Sequence, residues 1–406
     1  MDVYHGTVKD MKTVELRNCG AKEFIERLQG RKVICFGAGS MLIEADYEVL
    51  KIDHLEEHIA FFIDNDTNKH GLKYKYRGYE YDIKSVDALN GIDVKDYVLL
   101  ITCAVYVEIY KQLRDIPAAG GLECYMYNVV CSYPELDVNQ FFTKEIEKHP
   151  YKDWKAVLKS LNLKDKHKGE RCFVIGNGPS LTVKDLDLLK DEVTFAVNRI
   201  FKLFDETVWR PTYYFCIDYL LYGLDYKEIN NVEAKLRFIP IQRALAAGAV
   251  FDEITYYNRE INCVTIKEGE IVRGKEFEFS DDFEKVAYGG QTVLYDTLQI
   301  AAYMGFSEIY LIGVDCDFKQ EVLEDGTVIE NNSKKEHFNE KYDEGFDKAV
   351  AVVAPVYALI AAFQKAKEKC EEKGIVIKNA TRGGKLEVFE RVSLEDVLAD
   401  EMKENM

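Results

Sequence analysis

The sequence predicts an α/β protein made of two Rossmann-like domains, each a doubly wound parallel sheet. Three observations carry that prediction. Apolar runs of strand length alternate with stretches of helical spacing; two of the runs end in glycine turns, "VICFGAGS" (33–40) and "RCFVIGNGPSL" (171–181); and 406 residues, 47% of them hydrophobic, exceed what one core normally organises.

In chain order, "AKEFIERLQG" (21–30) has helical spacing and ends on Gly, so it reads as a helix. "KVICFGAGS" (32–40) follows as a buried strand with its turn, then a helix-compatible stretch, the strands in "HIAFFIDND" (58–66) and "DVKDYVLLITCA" (93–104), and the helix "YVEIYKQLRD" (106–115). These make a first domain, residues 1–131. Residues 132–168 turn polar and aromatic, with prolines at 134 and 150, and read as a connector that is helical in part. The pattern then restarts: "RCFVIGNGPSL", a helical "VKDLDLLKD", then "VTFAVNRIF", "PTYYFCID" and "KLRFIPI", a long helix near 290–304, and the strand "EIYLIGVD" (308–315). Residues 169–395 form this second domain and 396–406 an acidic tail. The apolar stretch "AVAVVAPVYALIAAF" (349–363) is too short to span a bilayer and reads as a buried helix bent or begun near Pro355.

Composition narrows the partners. With 53 basic against 71 acidic residues the formal charge is −18, which disfavours nucleic acid and anionic membranes and leaves small ligands or proteins. Ten cysteines are scattered along the chain, many of them in apolar runs, without CxxC pairs, as expected of reduced core residues in a cytoplasmic protein. The N-terminal stretch has no apolar signal-peptide segment, and no membrane span is expected.

The first glycine turn carries Gly37 and Gly39, but Leu42 stands where a dinucleotide fingerprint has its third glycine. Asp64 lies at the spacing of a ribose-binding acid, so Gly37, Gly39 and Asp64 make a candidate second nucleotide site; equally, the glycines serve a tight strand-to-helix turn. In the second turn Gly176 and Gly178 allow close backbone approach, Asn177 takes a left-handed conformation or presents its amide, Pro179 stiffens the exit and Ser180 caps a helix or meets a phosphate. The expectation is a cradle of uncovered amides for an anionic nucleotide. Asp218 ends "YYFCID", where open α/β sheets place ligands. Tyr213, Tyr214 and Tyr288 either stack on a base or belong to the core.

The ordered set "VIGNGPSL", "FAVNRIF", "PTYYFCIDYLL", "YGGQTVLYDTLQIAAYMGFSEIYLIGVDCDF" and "NATRGGKLEVFERVSLEDVL" spans residues 168–395. It resembles the family of 6-hydroxymethylpterin diphosphokinase (MptE-like) proteins and flagellin motility accessory factors. More distantly it is similar to bacterial sialyltransferases that use CMP-activated sialic acid. "FGAG", "FIDND" and "KHG", within residues 31–130, resemble a small nucleotide-binding module that accompanies enzymes of surface-polysaccharide assembly.

The resemblance implies that Gly176, Asn177, Gly178 and Ser180 hold nucleotide phosphate and sugar, that Asn198 contacts the donor, and that Gly289, Gly290, Gln291 and Thr292 open a helix toward the phosphates. It makes Asp315 a candidate catalytic acid and His337, in "KKEHFNEKYD", the candidate general base, the alternative being a surface histidine in a polar insertion. The sialyltransferase tyrosines that stabilise the leaving phosphate are missing from "CDFKQEVLEDG". That charge would then fall to helix N-termini, Arg199 or Arg243, or a metal such as Mg²⁺ on Asp315 and Asp317; Arg382 reaches a phosphate or forms a salt bridge. The leading expectation is a glycosyltransferase taking a nucleotide-activated, CMP-linked sugar to a glycan or protein acceptor, in surface-glycan or glycoprotein biosynthesis, with a homo-oligomer allowed. Its rivals are Mg²⁺-dependent diphosphate transfer from ATP and a non-catalytic nucleotide-binding scaffold.

Overall fold

The computed structural model describes residues 15–17, 19–39, 41–42, 51–103, 106–127, 151–246, 249–260, 264–267, 270–273, 277–323, 327–331, 333–345 and 355–404. The chain divides into two compact units, the first mainly before residue 142 and the second mainly after it. Each has its own apolar core.

The first unit holds β1 (Glu15–Leu16), α1 (Ala21–Leu28), β2 (Lys32–Phe36), β3 (Ile59–Ile63), β4 (Lys73–Tyr76), β5 (Tyr79–Lys84), β6 (Tyr97–Ile101), α2 (Tyr106–Arg114) and β7 (Glu123–Met126). Its sheet runs β1-β7-β6-β2-β3-β5-β4. All neighbours pair in parallel except the β4–β5 hairpin. Both residues of that hairpin's turn, Arg77 (φ 44°) and Gly78 (φ 85°), lie in the left-handed region, so the turn follows the twist of the strands. The helix-compatible stretch after Gly39 falls mostly outside the described residues.

The second unit opens with α3 (Trp154–Ser160), inside the expected connector, and continues β8 (Arg171–Ile175), α4 (Val183–Leu188), β9 (Thr194–Val197), β10 (Tyr213–Phe215), α5 (Tyr219–Leu224), β11 (Leu236–Pro240), β12 (Thr255–Tyr257), α6 (Val293–Tyr303), β13 (Glu308–Ile312), α7 (Val356–Glu372), β14 (Val376–Asn379), β15 (Glu390–Arg391) and α8 (Leu394–Glu404). The sheet order is β12-β11-β10-β9-β8-β13-β14-β15, parallel throughout. Parallel strands are buried on both faces, which is why they read as unbroken apolar runs. The doubly wound class is therefore observed in both units.

The chain enters this sheet at β8, winds outward to β12, then crosses back to the other side of β8 as β13. That reversal places a crevice outside the carboxyl ends of β8 and β13, where such sheets bind ligands. Between the strands, α6 is buried from Val293 to Ala302 and is capped by Thr292, whose hydroxyl accepts from the Leu294 amide at 3.3 Å. Helix α7 starts directly after Pro355, whose missing N–H costs nothing at a helix start. Among the described residues no helix is long and apolar enough to cross a membrane. Every described cysteine is a free thiol.

Candidate functional site

At the crevice the ends of β8 and β13 cross on glycine. The Gly176 amide donates to the Ile312 carbonyl at 2.8 Å and the Gly178 amide to the Gly313 carbonyl at 2.9 Å, so the ladder continues past the last strand residues. A β-carbon on Gly176 would stand 2.3 Å from the Gly313 oxygen, and one on Gly178 only 1.9 Å from Asp315 Oδ2. Gly313 itself has φ 65°. The Leu181 amide donates back to Gly178. These bonds correct the expectation of bare amides: the glycines are needed because two strand ends and a carboxylate close on them.

What this turn leaves open is a pair of asparagine side chains. Asn177 donates Nδ2 to the Val197 carbonyl at 2.9 Å, which fixes the orientation of its amide. Its Oδ1 is buried with no hydrogen-bond partner among the described residues. Asn198, at the end of β9, has left-handed backbone (φ 47°) and a buried Oδ1 that also lacks a hydrogen-bond partner among the described residues. Leaving a buried acceptor unsatisfied costs about 1–3 kcal/mol, so two of them at neighbouring strand ends favour a ligand that brings donors. Hydroxyl or amino groups fit them; phosphate oxygens, which only accept, do not.

The acids lie against the same turn. Ser180, expected at a phosphate, donates its hydroxyl to Asp315 Oδ2 at 2.8 Å. Burial pushes the Asp315 carboxyl above its usual range, against the pull of the Ser180 bonds. For Asp317 burial works upward too, but Lys334 and Lys385 outweigh it and hold the carboxyl low. Lys385 Nζ lies 3.3 Å from the Asp317 Oδ1 that also takes Lys334. A carboxylate bonded to two ammonium groups and another turned onto Ser180 do not fit as a Mg²⁺ pair. The described residues gather no cluster of three metal ligands here; the single cluster, His54, Glu56 and Glu57, is in the first unit, where Glu56 already pairs with Arg77 at 2.7 Å.

His337 arrives from a loop. The Phe338 amide donates to the Asn177 carbonyl at 3.0 Å, seating the loop on the β8 turn. The His337 ring stacks on Tyr342 with centroids 3.7 Å apart, and its Nδ1 lies 2.8 Å from Asp343 Oδ1. Burial lowers the imidazole below its ordinary value while Asp343 opposes that shift. Nε2 is thereby the nitrogen free to take a proton when the ring is neutral, with Nδ1–H held by the carboxylate.

Other candidate residues have structural partners. Asp218 follows β10 near this loop: burial first and the Asp218 charge second raise the Tyr342 phenol. At the Gly289–Thr292 turn the Gly289 amide donates to the Glu260 carbonyl at 2.7 Å, a β-carbon on Gly290 would lie 2.2 Å from the Tyr295 ring, and Gln291 has φ 66°. Tyr213 and Tyr214 are fully buried, their hydroxyls bonded to His167 and to the Asn198 carbonyl, and belong to the core. Arg382 forms a salt bridge with Asp185.

In the first unit Gly37 (φ 109°) lets β2 pass Cys103, whose Cβ would be 2.6 Å from an added β-carbon, whereas Gly39 has open space. Asp64 accepts from the Ala38 amide at 2.7 Å and the Asp66 amide at 2.8 Å, and Lys69 approaches at 3.4 Å. Its carboxylate thus closes the turn. A separate groove of about 210 Å³, lined by Tyr151, Trp154, Phe251 and Tyr256 among others, runs along edge strand β12 and shares no lining residue with the β8 site.

The fold defines an open α/β protein whose second sheet has its topological switch point between β8 and β13. Residues 148–321 match the family described as 6-hydroxymethylpterin diphosphokinase MptE-like. That span takes in the β8 turn, Asn198, Asp218, the Gly289–Thr292 turn, Asp315 and Asp317, and stops before His337. No curated protein and no solved structure matches the chain. Asp343, the Phe338 amide and Gly313 were missed by sequence reasoning; Asp343 stands within the quoted histidine segment but only the folded loop turns it onto His337.

Proposed function

We propose that the protein is a transferase in which a hydroxyl of the acceptor attacks a donor activated by a nucleotide, with residues 169–395 as the catalytic domain, and that the favoured reaction is glycosyl transfer from a nucleotide-linked sugar, CMP-linked by the resemblance. The observation that carries this reading is the His337–Asp343 pair, on a loop whose Phe338 amide bonds the Asn177 carbonyl, together with the two buried amide oxygens of Asn177 and Asn198 that call for ligand donors. Sugar hydroxyls or a base amino group satisfy Asn177 and Asn198. The acceptor O–H gives its proton to His337 Nε2, the new C–O bond forms at the anomeric carbon, and the bond to the phosphate oxygen breaks with its electron pair leaving on the nucleotide. Asp343 steadies the resulting imidazolium.

Diphosphate transfer from ATP to a hydroxyl is the second reading, favoured by the family match. It uses the same base but requires Mg²⁺ on phosphates, for which Asp315 and Asp317 are poorly disposed. We also propose the first unit as a module that positions donor, acceptor or partner.

Thermal shift with CMP, CDP, UDP, ATP and NAD, each with and without Mg²⁺, separates the readings. A CMP shift without metal, lost in Asn177→Ala, supports glycosyl transfer; a shift with ATP plus Mg²⁺ alone supports the second. His337→Ala should abolish turnover and leave donor affinity nearly intact. Because burial holds His337 below 6.5, the base form persists at neutral pH, and turnover should fall only as pH drops beneath that value. Asp343→Asn removes the upward pull and should move this acid limb lower still. No response to any cytidine or adenine nucleotide overturns both enzymatic readings.

A further inference from the structure

We propose that Arg199 is a positioning residue that clamps the loop carrying His337 and Asp343, so that the geometry of the base is set by a guanidinium that touches no reacting atom. The catalytic part rests on His337 being the base; the clamp itself does not. Arg199 is 1% exposed. Its Nε donates to Asp225 Oδ2 at 2.5 Å, and its Nη1 to the carbonyls of Tyr342 at 2.5 Å and Glu344 at 2.6 Å. Those carbonyls flank Asp343, whose side chain orients His337. The middle residue of the gripped tripeptide is therefore the imidazole's partner.

The rest of the loop is built around that grip. Asn339 Oδ1 accepts from the Tyr342 amide at 3.2 Å, closing the turn at Glu340–Asp343. The Tyr342 ring then packs against both His337 and Phe338. The Phe338 amide on Asn177 fixes the near side and Arg199 fixes the far side. Arg199 also directly follows Asn198, the residue with an unpartnered amide oxygen. One short segment at the end of β9 thus carries both an unpartnered amide oxygen and the clamp.

A lysine cannot replace this clamp. A planar guanidinium reaches a carboxylate and two carbonyls at once from a rigid fork, whereas one ammonium on a flexible stem cannot span them. The expected leaving-group role for Arg199 is corrected by the same contacts, which commit its Nε and Nη1 to Asp225 and the loop.

Amide hydrogen exchange on the full chain, wild type against Arg199→Lys, reads the clamp without any substrate. Exchange at Phe338 and Tyr342 should rise roughly tenfold or more, with Cys172–Ile175 in β8 unchanged. In turnover with the donor identified above, kcat should fall roughly tenfold or more with donor KM within about twofold. Unchanged exchange at Phe338 and Tyr342 in a folded Arg199→Lys overturns the proposal, and so does a raised KM with kcat intact. Should that variant fail to fold, Asp225→Asn loosens the guanidinium from its other side; the loop amides must speed up there too, and if they do not the proposal falls. A wild type without transferase activity whose loop is still released by Arg199→Lys retires the base and keeps the clamp.

Discussion

At the β8 turn one β-carbon decides between two explanations of the same glycines. Reserved only for a ligand, Gly176 would tolerate alanine at no cost to folding. A β-carbon added there would stand 2.3 Å from the Gly313 oxygen, a main-chain atom that cannot swing aside. Gly176→Ala should therefore destabilise the second unit by about 3 kcal/mol or more, as overpacking of a closed site does. Gly223→Ala, in α5 with open space around it, should stabilise by about 0.5–1 kcal/mol through helix propensity. Urea unfolding of both variants checks the contrast, and equal effects would remove the steric account. The sequence marked Gly176 and Gly178 as special but could not give the reason, because Gly313 and Asp315 lie more than a hundred residues away. Asn177 was marked by its place in the glycine turn, and Asn198 only through the family resemblance. The clamp on Asp343 was not, since it depends on carbonyls, which carry no residue signature.

At the scale of elements, β8, β9, β10, β11 and β13 could be read because buried parallel strands are continuous apolar runs bounded by turns. Amphipathic elements were hidden. The β4–β5 hairpin turns on Arg77–Gly78 instead of the usual Asn-Gly, and β4 and β14 alternate exposed or half-buried with buried residues instead of forming continuous apolar runs. The connection from β14 back to α4 shows how such late strands are held. Arg382 donates to both oxygens of Asp185, at 2.5 and 2.8 Å, and Asp185 also closes a capping box with Thr182. Burial alone would raise the Asp185 carboxyl; the Arg382 and Thr182 bonds outweigh it and keep the group ionised. Arg382→Met leaves a fully buried carboxylate with the cap as its remaining support. The loss should be about 1–3 kcal/mol, the usual range for a hydrogen bond to a charged group, and a smaller effect at pH 3 than at pH 7 is expected. The sign follows from the lowered carboxyl: its stabilising contribution is present above the unfolded value of about 3.9 and is lost as pH falls through the folded one. Equal loss at both pH values would show that the bond's charge is irrelevant.

The described residues carry two large sheets, one in each unit and each with its own switch point, beside a buried cluster, one around Phe173, Phe195 and Phe238 and one around Phe24, Val33 and Phe62. Their turns are chemically different. In the first unit Asp64 accepts from Ala38 and closes the glycine turn from within. In the second, Asp315 is drawn aside by Ser180, and the buried acceptors of Asn177 and Asn198 stay unmet. A nucleotide should therefore stabilise the second unit alone. Calorimetry of the full chain is expected to give two transitions, and ligand at 100 times its Kd should raise the stability of one of them by about 2.7 kcal/mol. Gly176→Ala identifies which transition belongs to the second unit by lowering it, and Asn177→Ala should cancel the ligand shift without moving the other. A ligand that raises the transition untouched by Gly176→Ala would transfer the binding function to the Gly37 turn, and with it the meaning of Asp64.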